Sequence, residues 1–210
     1  MDFSSLPSSL QTAILDYQAK VGEFLQTGAQ AQRIGQQAGD YANSSQPEVA
    51  QRAQAIQERA TVLVSQFNAT ETQAVAALQK AQSVQASMQN NSLWRNIMSA
   101  NLSSAGSAVL SYATNLYSQI KGAISGLDAI NSQMNAQIKN VGNLQDDLNN
   151  LNDYAQGKGI LAPLSKMVTA TGGSIFGLVG NLGSSLKYVG IAAGVLLAVV
   201  GLSYAHRGKS

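Results

Sequence analysis

The sequence predicts an all-α protein of long, coiled-coil-like helices, arranged as a helical hairpin or bundle, with a C-terminal transmembrane helix. Three observations support this fold class. Apolar residues recur in steps of four and three over most of the chain, which is the spacing of one helical face. Only three prolines interrupt the 210 residues. Residues 188–205 form an uncharged, mainly apolar run of 18 residues, long enough to cross a bilayer as a helix.

The composition argues against an enzyme. Charged residues make up 11% of the chain, against roughly 25% in a typical globular domain. Alanine, glutamine, serine and asparagine together supply 91 of the 210 residues. Without cysteine, the chain has no disulfide scaffold, thiolate metal site or thiol nucleophile, and His206 is its single histidine. We therefore expect no catalytic residues, no metal site and no cofactor.

The net charge of +2 is unevenly distributed along the chain. Residues 1–160 carry nine basic and all eleven acidic side chains, whereas residues 161–210 carry four basic side chains and no acid. A faintly acidic body followed by a basic, apolar C-terminus is typical of a chain that associates with membranes. The basic excess is too thin to indicate a nucleic-acid interface.

Residues 1–46 predict an N-terminal helix and a turn. Ser8 and Gln11 fit a capping box behind Pro7, which predicts a helix start at this point. Residues 39–46 have the composition of a turn. Nine apolar or small residues follow the 4,3 spacing of one face: Leu10, Ile14, Tyr17, Val21, Phe24, Gly28, Ala31, Gly35 and Ala38.

Residues 47–156 predict long heptad-patterned helices. The first of them starts at Pro47 and Glu48, which suit a first turn, and ends near residues 90–92. Twelve positions keep the 4,3 spacing without a slip, and all but Thr70 are apolar: Val49, Ala53, Ile56, Ala60, Leu63, Phe67, Thr70, Ala74, Ala77, Ala81, Val84 and Met88.

The strongest periodicity lies between residues 102 and 155 and predicts a helix over about residues 93–156. Gly157 and Gly159 are expected to end it, and Pro163 to prevent a restart. Gly106 and Gln137 are the two departures from an apolar seam. Heptads sustained over this length predict self-association. The predicted oligomer seam consists of Leu116, Ile120, Leu127, Ile130, Met134, Val141, Leu144, Leu148 and Leu151.

The remaining chain predicts membrane attachment. Residues 157–187 form a Gly-rich linker or interfacial segment, and a second pass by residues 167–186 stays open as an alternative. Residues 188–210 predict a transmembrane helix with a basic end, the alternative being an apolar helix buried in an assembly. The predicted membrane-contacting residues are Tyr188, Val189, Ile191, Val195, Leu196, Leu197, Val199, Val200, Leu202 and Tyr204.

One cluster of acidic residues invites a functional interpretation. Asp146, Asp147 and Asp153 lie within eight residues of each other on the third predicted helix. A solvated helical face is the favoured interpretation, because neighbouring acids on a helix surface need no ligand. The sequence predicts no carboxylate site here.

Long helices rich in alanine, glutamine, serine and asparagine, without cysteine or an N-terminal signal peptide and with one Gly-rich membrane segment, resemble phage genome-delivery proteins. These include pilot proteins of small tailless phages, ejection proteins of short-tailed phages and membrane proteins of phages with an internal lipid layer. The resemblance is compositional and architectural, so it assigns no functional residue. It implies a bacteriophage virion protein, located in the virion and the host cell membrane, that aids genome ejection and membrane penetration. Its partners would be lipid, copies of itself and other virion proteins, with nucleic acid only as non-specific cargo.

Two other classes share these features. Type III secretion translocators and helical pore-forming toxins also enter membranes as oligomers without a cleaved signal. A membrane-anchored structural tether would need the same helices and the same anchor but would conduct nothing. Both stay open as alternatives.

Overall fold

A computed structural model of the chain describes residues 5–90 and 107–168. These residues form three α-helices and contain no strand: α1 (Leu6–Gly39), α2 (Pro47–Asn90) and α3 (Ser107–Ala155). All of the described residues belong to one compact unit. The prediction of an all-helical chain is confirmed for this part, whereas the predicted transmembrane helix in residues 188–210 lies outside it.

The helices α1 and α2 pack side by side in opposite directions. Gly28 of α1 faces Phe67 of α2, whereas Gly35, two turns further along α1, faces the earlier residue Ala60. An antiparallel arrangement follows from this reversed order. The connection between the helices is short: α1 ends at Gly39, a turn follows, and α2 begins at Pro47. The turn predicted from residues 39–46 is confirmed.

The third helix completes a bundle by packing against both others. Gln137 of α3 donates a hydrogen bond to Thr70 of α2, and Asp147 of α3 pairs with the earlier residue Arg59, so α3 is antiparallel to α2. It is consequently parallel to α1. The bundle therefore runs up, down and up, and its core lies along one stripe of each helix.

Helix α1 starts earlier than the capping box predicts. Its N-cap residue is Ser5, whose side chain makes no capping hydrogen bond. The hydroxyls of Ser8 and Ser9 instead donate to the carbonyl oxygen of Ser5, at 2.8 and 2.9 Å. The predicted helix start near Pro7 is confirmed, with Pro7 in the first turn. The capping box is wrong because Leu6, which is 6% exposed, belongs to the buried face and extends the helix upstream of Pro7.

Helix α3 ends where the sequence predicts. Gly157 adopts φ of +71°, the left-handed conformation that closes many helices. Its N–H donates to the carbonyl of Tyr154, and the N–H of Lys158 donates to the carbonyl of Asp153 at 2.9 Å. These two bonds form a Schellman motif, which satisfies carbonyls that the last turn would otherwise leave unpaired.

The predicted 4,3 stripe of α2 forms its buried face with one exception. Ala77 is half-buried, and the neighbouring Leu78 is buried in its place. In α1, Ile34 is likewise buried beside the predicted Gly35. At both points the residue with the larger side chain, one position away, is the more deeply buried.

Close helix approach depends on small residues of α1. A Cβ placed on Gly35 would lie 2.9 Å from the Cβ of Ala60, and one on Gly28 would lie 3.0 Å from the ring of Phe67. The same ring stacks on Phe24 with 4.5 Å between centroids. The glycines therefore let α2 approach closely enough for this aromatic pair to form.

The two polar exceptions of the predicted seams meet in the core. Thr70 and Gln137 are 2% and 4% exposed, and the Gln137 Nε2 donates to the Thr70 hydroxyl at 2.7 Å. It also approaches the carbonyl oxygen of Gln66 at 3.4 Å. A single buried polar pair in an apolar seam fixes the register of two helices, because any slip would leave both groups unpaired.

The contacts of the α1 glycines predict opposite effects for two Gly→Ala substitutions. Gly22→Ala should stabilise the bundle by about 0.5–1 kcal/mol, because Gly22 is exposed, nothing lies near its added methyl, and alanine favours the helix. Gly35→Ala should instead destabilise it by about 1 kcal/mol, because the methyl would meet Ala60. Urea unfolding of the full chain in mild detergent measures both, and equal stabilisation would contradict the close approach.

The Thr70–Gln137 pair predicts strong coupling in a double-mutant cycle. Thr70→Val should cost about 1–3 kcal/mol, because it removes the hydroxyl to which the buried Gln137 amide donates. Adding Gln137→Leu should recover most of that loss, since neither polar group then needs a partner. Additive losses in the same unfolding assay would show that the pair does not interact.

Candidate functional site

The chain after α3 folds back along the bundle as an extended segment. Residues 160–168, here called the strap, have no helical structure and follow a short connection at residues 156–159. Ile160 pairs with Asn150 of α3, and Val168 pairs with the earlier residue Asn140. The strap therefore runs antiparallel to α3, from its C-terminal end towards its middle.

One face of α3 presents four polar side chains to the strap. They are spaced by three, four and three residues, which aligns them along the helix. The four residues of this face, here called the polar ladder, are Asn140, Asn143, Asp147 and Asn150. Each of them makes at least one hydrogen bond to the main chain of the strap.

Two asparagines of the polar ladder each donate one hydrogen bond to the main chain of the strap and accept another from it. Asn140 Nδ2 donates to the carbonyl oxygen of Val168 at 2.9 Å, and its Oδ1 accepts from the N–H of the same residue at 2.6 Å. Asn150 Nδ2 donates to Ile160 at 3.1 Å, while its Oδ1 accepts from Ala162 at 3.0 Å. These amides replace the partner that a neighbouring strand would supply to an extended chain.

Two arginines of α2 close the other side of the groove. Arg52 and Arg59 are seven residues apart and therefore lie on one face of α2. A guanidinium nitrogen of Arg52 donates to the carbonyl oxygen of Ala162, and one of Arg59 donates to that of Ser165. The strap thus lies in a groove between α2 and α3 and is hydrogen-bonded to both.

A buried ion pair lies at the centre of this groove. Arg59 Nη1 is 2.7 Å from Asp147 Oδ2, and the two side chains are 18% and 4% exposed. The other carboxylate oxygen, Oδ1, accepts from the N–H of Ser165 at 2.9 Å and from its hydroxyl at 3.0 Å. Both oxygens of the carboxylate therefore have partners, which helps a buried ion pair to be tolerated.

The electrostatics of the groove act differently on the second arginine. Burial lowers the pKa of Arg52 from its usual value, the nearby carboxylate of Asp147 opposes this shift, and the charge of Arg59 adds to it. Arg52 Nε has no hydrogen-bond partner among the described residues. Arg52 is thus held in the groove mainly through its bond to the strap, whereas Arg59 is held by an opposite charge as well.

The side chains of the strap face outward at every third position. Ile160, Pro163 and Lys166 are exposed, and the residues between them are half-buried. A period of three matches a polyproline II segment and not the period of two of a strand. Because all but one of the groove's bonds go to main-chain atoms, the groove recognises an extended peptide backbone more than a particular side-chain sequence.

The groove can bind a peptide, and its described groups show no arrangement for metal chemistry. Within residues 5–90 and 107–168, no three His, Cys, Asp or Glu side chains lie close enough together to hold a metal ion. The hydroxyl of Ser165 donates to Asp147, which is already engaged by Arg59. Both groups therefore hold the strap in place.

The nine predicted oligomer-seam residues all lie in the core of a single chain. Leu116, Ile120, Leu127, Ile130, Met134, Val141, Leu144, Leu148 and Leu151 are each no more than 6% exposed. They pack within the bundle of α1, α2 and α3, so self-association through the same side chains would require the three helices to separate. Self-association itself stays a prediction.

The ten predicted membrane-contacting residues, from Tyr188 to Tyr204, lie outside the described residues. Among the helices that the structure describes, none combines the length and the hydropathy needed to span a bilayer.

Sequence reasoning missed the groove and misjudged one of its residues. The solvated-face interpretation holds for Asp146 and Asp153, which are exposed, but is wrong for Asp147, which is buried by the strap and paired with Arg59. The available signal was the 3,4,3 spacing of the polar ladder beside an apolar seam. This spacing does not reveal which segment covers the polar ladder, because residues 160–168 show neither the helical nor the strand periodicity.

Comparisons with protein-family models, with curated proteins and with solved structures found no match to this chain.

The buried ion pair predicts very different effects for two adjacent aspartates. Asp147→Ala should destabilise the full chain by about 3 kcal/mol, because it leaves Arg59 without its charge partner and Ser165 without its acceptor. Asp146→Ala should change the free energy of unfolding by less than about 0.5 kcal/mol, because Asp146 is exposed. Urea unfolding gives both values, and hydrogen exchange at the Ser165 amide should accelerate only in Asp147→Ala. Equal losses in the two variants would rule out a structural role for the pair.

Proposed function

We propose that this chain is a non-enzymatic structural protein that attaches a three-helix body to a membrane through residues 188–205, as part of a phage particle that delivers its genome. The observation that carries the proposal is the strap. It precedes the apolar C-terminal run in the sequence and is hydrogen-bonded to both α2 and α3. Such a connection suits a body that bears load from a lipid anchor.

The chemistry of the described surface supports a structural role. Neutral amides and hydroxyls dominate the exposed positions. The ion pair between helices, Arg59 with Asp147, lies in the groove beneath the strap. The four exposed large apolar residues, Leu15, Val62, Leu110 and Ile160, are far apart in sequence and form no sustained apolar stripe. A neutral hydrated surface next to passing nucleic acid would not retain phosphates as a lysine-rich one would.

The genome-delivery setting rests on the resemblance in composition and architecture to phage delivery proteins. Residues 173–177 and 190–194 each contain a GxxxG spacing, which lets apolar helices associate closely in a bilayer. We assign self-association within the membrane to this part of the chain, because the α3 seam is occupied by α1 and α2.

A second candidate is a membrane-anchored tether that conducts nothing. The observation that favours it is the intramolecular use of the heptad seam, since α3 has no second apolar stripe with which to line up copies into a tube. Body and anchor have the same roles in both candidates, which differ only in whether nucleic acid crosses the membrane.

Liposome flotation tests the membrane attachment. The full chain should float with vesicles of phosphatidylethanolamine and phosphatidylglycerol, and Val195→Lys with Val199→Lys should abolish flotation. Each lysine near the centre of a bilayer costs about 2.5–3.5 kcal/mol. The matched control is Leu15→Lys with Val62→Lys, which places the same charges at positions that are 55% and 47% exposed on the body. Unchanged flotation of the tail variant would refute the proposal.

Two further measurements separate the functional classes. Recovery of the chain from purified phage particles, with release of a nucleic-acid cargo from liposomes, supports genome delivery. Recovery from particles without release supports the tether. Release by a chain that is secreted and missing from particles would replace the proposal with a translocator or toxin.

A further inference from the structure

The strap is connected to the bundle by a short hinge. The Schellman motif that closes α3 is complete at Lys158, so the helix does not depend on the strap for its end. Residues 156–159 contain Gly157 at φ +71° and Gly159. The hinge can therefore extend without breaking any hydrogen bond within α1, α2 or α3 other than those of the Schellman motif itself.

Everything that the groove uses to hold the strap is independent of this connection. The bonds run from Arg52, Arg59 and the polar ladder to residues 160–168, and none of them involves the hinge. A strap with the same sequence from another molecule would satisfy the same donors and acceptors. The groove is therefore a complete peptide site that the chain fills with its own segment.

We propose that the groove between α2 and α3 is an interface between copies, in which two chains exchange their straps. In the exchanged dimer, each groove holds residues 160–168 of the partner chain. All bonds between strap and groove are made again, so the exchange costs the two Schellman bonds of each hinge and the entropy of association. The inference does not depend on the proposed function, because it concerns the described part of the chain alone.

The direction of the strap makes a reciprocal exchange geometrically simple. In the closed chain the strap enters the groove at the C-terminal end of α3 and runs inward. With the hinge extended, it points away from that end and meets the same entrance of a second bundle placed end to end about a two-fold axis. Nine extended residues span about 28 Å, which covers the polar ladder of the partner.

A second copy fits the groove better than an unrelated extended peptide. Ser165 supplies both a main-chain N–H and a hydroxyl to Asp147 Oδ1, and Leu161, Leu164 and Met167 are half-buried at the period of three. The strap of another copy is the segment that carries all of these features in register. A backbone-only peptide would leave the second bond to Asp147 unmade.

Cross-linking of paired cysteines tests the exchange in the full chain. The natural chain has no cysteine, so Asn143→Cys together with Lys166→Cys provides a single reactive pair. The Asn143 amide lies 3.0 Å from the carbonyl oxygen of Lys166, which places the two positions within reach of a short bis-maleimide. After refolding in nonionic detergent over a hundredfold range of concentration, a closed chain gives an internally cross-linked monomer and an exchanged pair gives a covalent dimer.

The hinge glycines supply a matched pair of variants. Gly157→Ala strains the left-handed hinge by about 1 kcal/mol and should raise the ratio of covalent dimer to monomer roughly fivefold or more. Gly159→Ala should leave the ratio unchanged, because its added methyl meets only an ordinary contact of 3.8 Å with Asp153. Single-cysteine chains measure random cross-linking between molecules.

The outcomes decide the proposal. A covalent dimer that increases with refolding concentration and with Gly157→Ala supports strap exchange. Association through the C-terminal segment alone would give a dimer by mass whose cross-links all lie within single chains, and this would overturn the exchange while leaving the proposed membrane attachment intact. Internally cross-linked monomer at every concentration, in chains with full helical circular dichroism, would also overturn it.

Discussion

The bundle and its C-terminal connection depend on the ion pair between Arg59 and Asp147. Transfer of two charges out of water is costly, and their attraction compensates only when the remaining lone pairs and protons also find partners. Here one carboxylate oxygen takes the guanidinium and the other takes both donors of Ser165. Three segments of the chain, α2, α3 and the strap, therefore meet at a single carboxylate. By comparison, the Lys20–Glu23 pair is local to α1 and largely exposed, so it contributes little.

The abundance of amide side chains has a structural explanation at this groove. An asparagine side chain carries the same donor and acceptor as a peptide group, so Asn140 and Asn150 can each pair with an extended backbone from both sides. A charged residue offers donors or acceptors but not both. The many amide side chains of this weakly charged chain therefore do more than hydrate its surface. Some of them supply the main-chain hydrogen bonds that a neighbouring strand would give to the strap.

The helices were predictable because the spacing of apolar residues along the local sequence shows their periodicity. Gly157 and Pro47 mark helix ends through backbone preferences that act within a few residues, and both marks were correct. The partner of each apolar stripe was not predictable, since heptads in α3 look the same whether α2 or another copy faces them. Thr70 and Gln137 were the residues that indicate the partner. Isolated polar residues in two apolar seams are expected to bond to each other, which pairs α2 with α3.

The groove residues were harder to predict for a different reason. Asp146 and Asp147 are neighbours of one type, and only their angular position relative to a later, non-periodic segment separates an exposed side chain from a buried one. The same limit applies to Arg52 and Arg59, whose spacing of seven fits a solvated helical face equally well. Sequence reasoning finds surfaces that repeat; it does not find a single extended segment that covers one of them.

The direction of the strap determines how the groove would respond to a pull from the C-terminal side. Val168, the last described residue, pairs with Asn140, which lies about 22 Å back from the end of α3 at 1.5 Å per residue. A pull directed away from the bundle would therefore peel the strap from this end, breaking the Asn140 pair first and the Asn143 bond next. The peeling then reaches Ser165, where the main chain and the hydroxyl are both held by the Arg59–Asp147 pair. Because charge-assisted bonds are the strongest in the groove, resistance to peeling is concentrated at this point, and Ala162 and Ile160 beyond it stay bound as long as the ion pair holds.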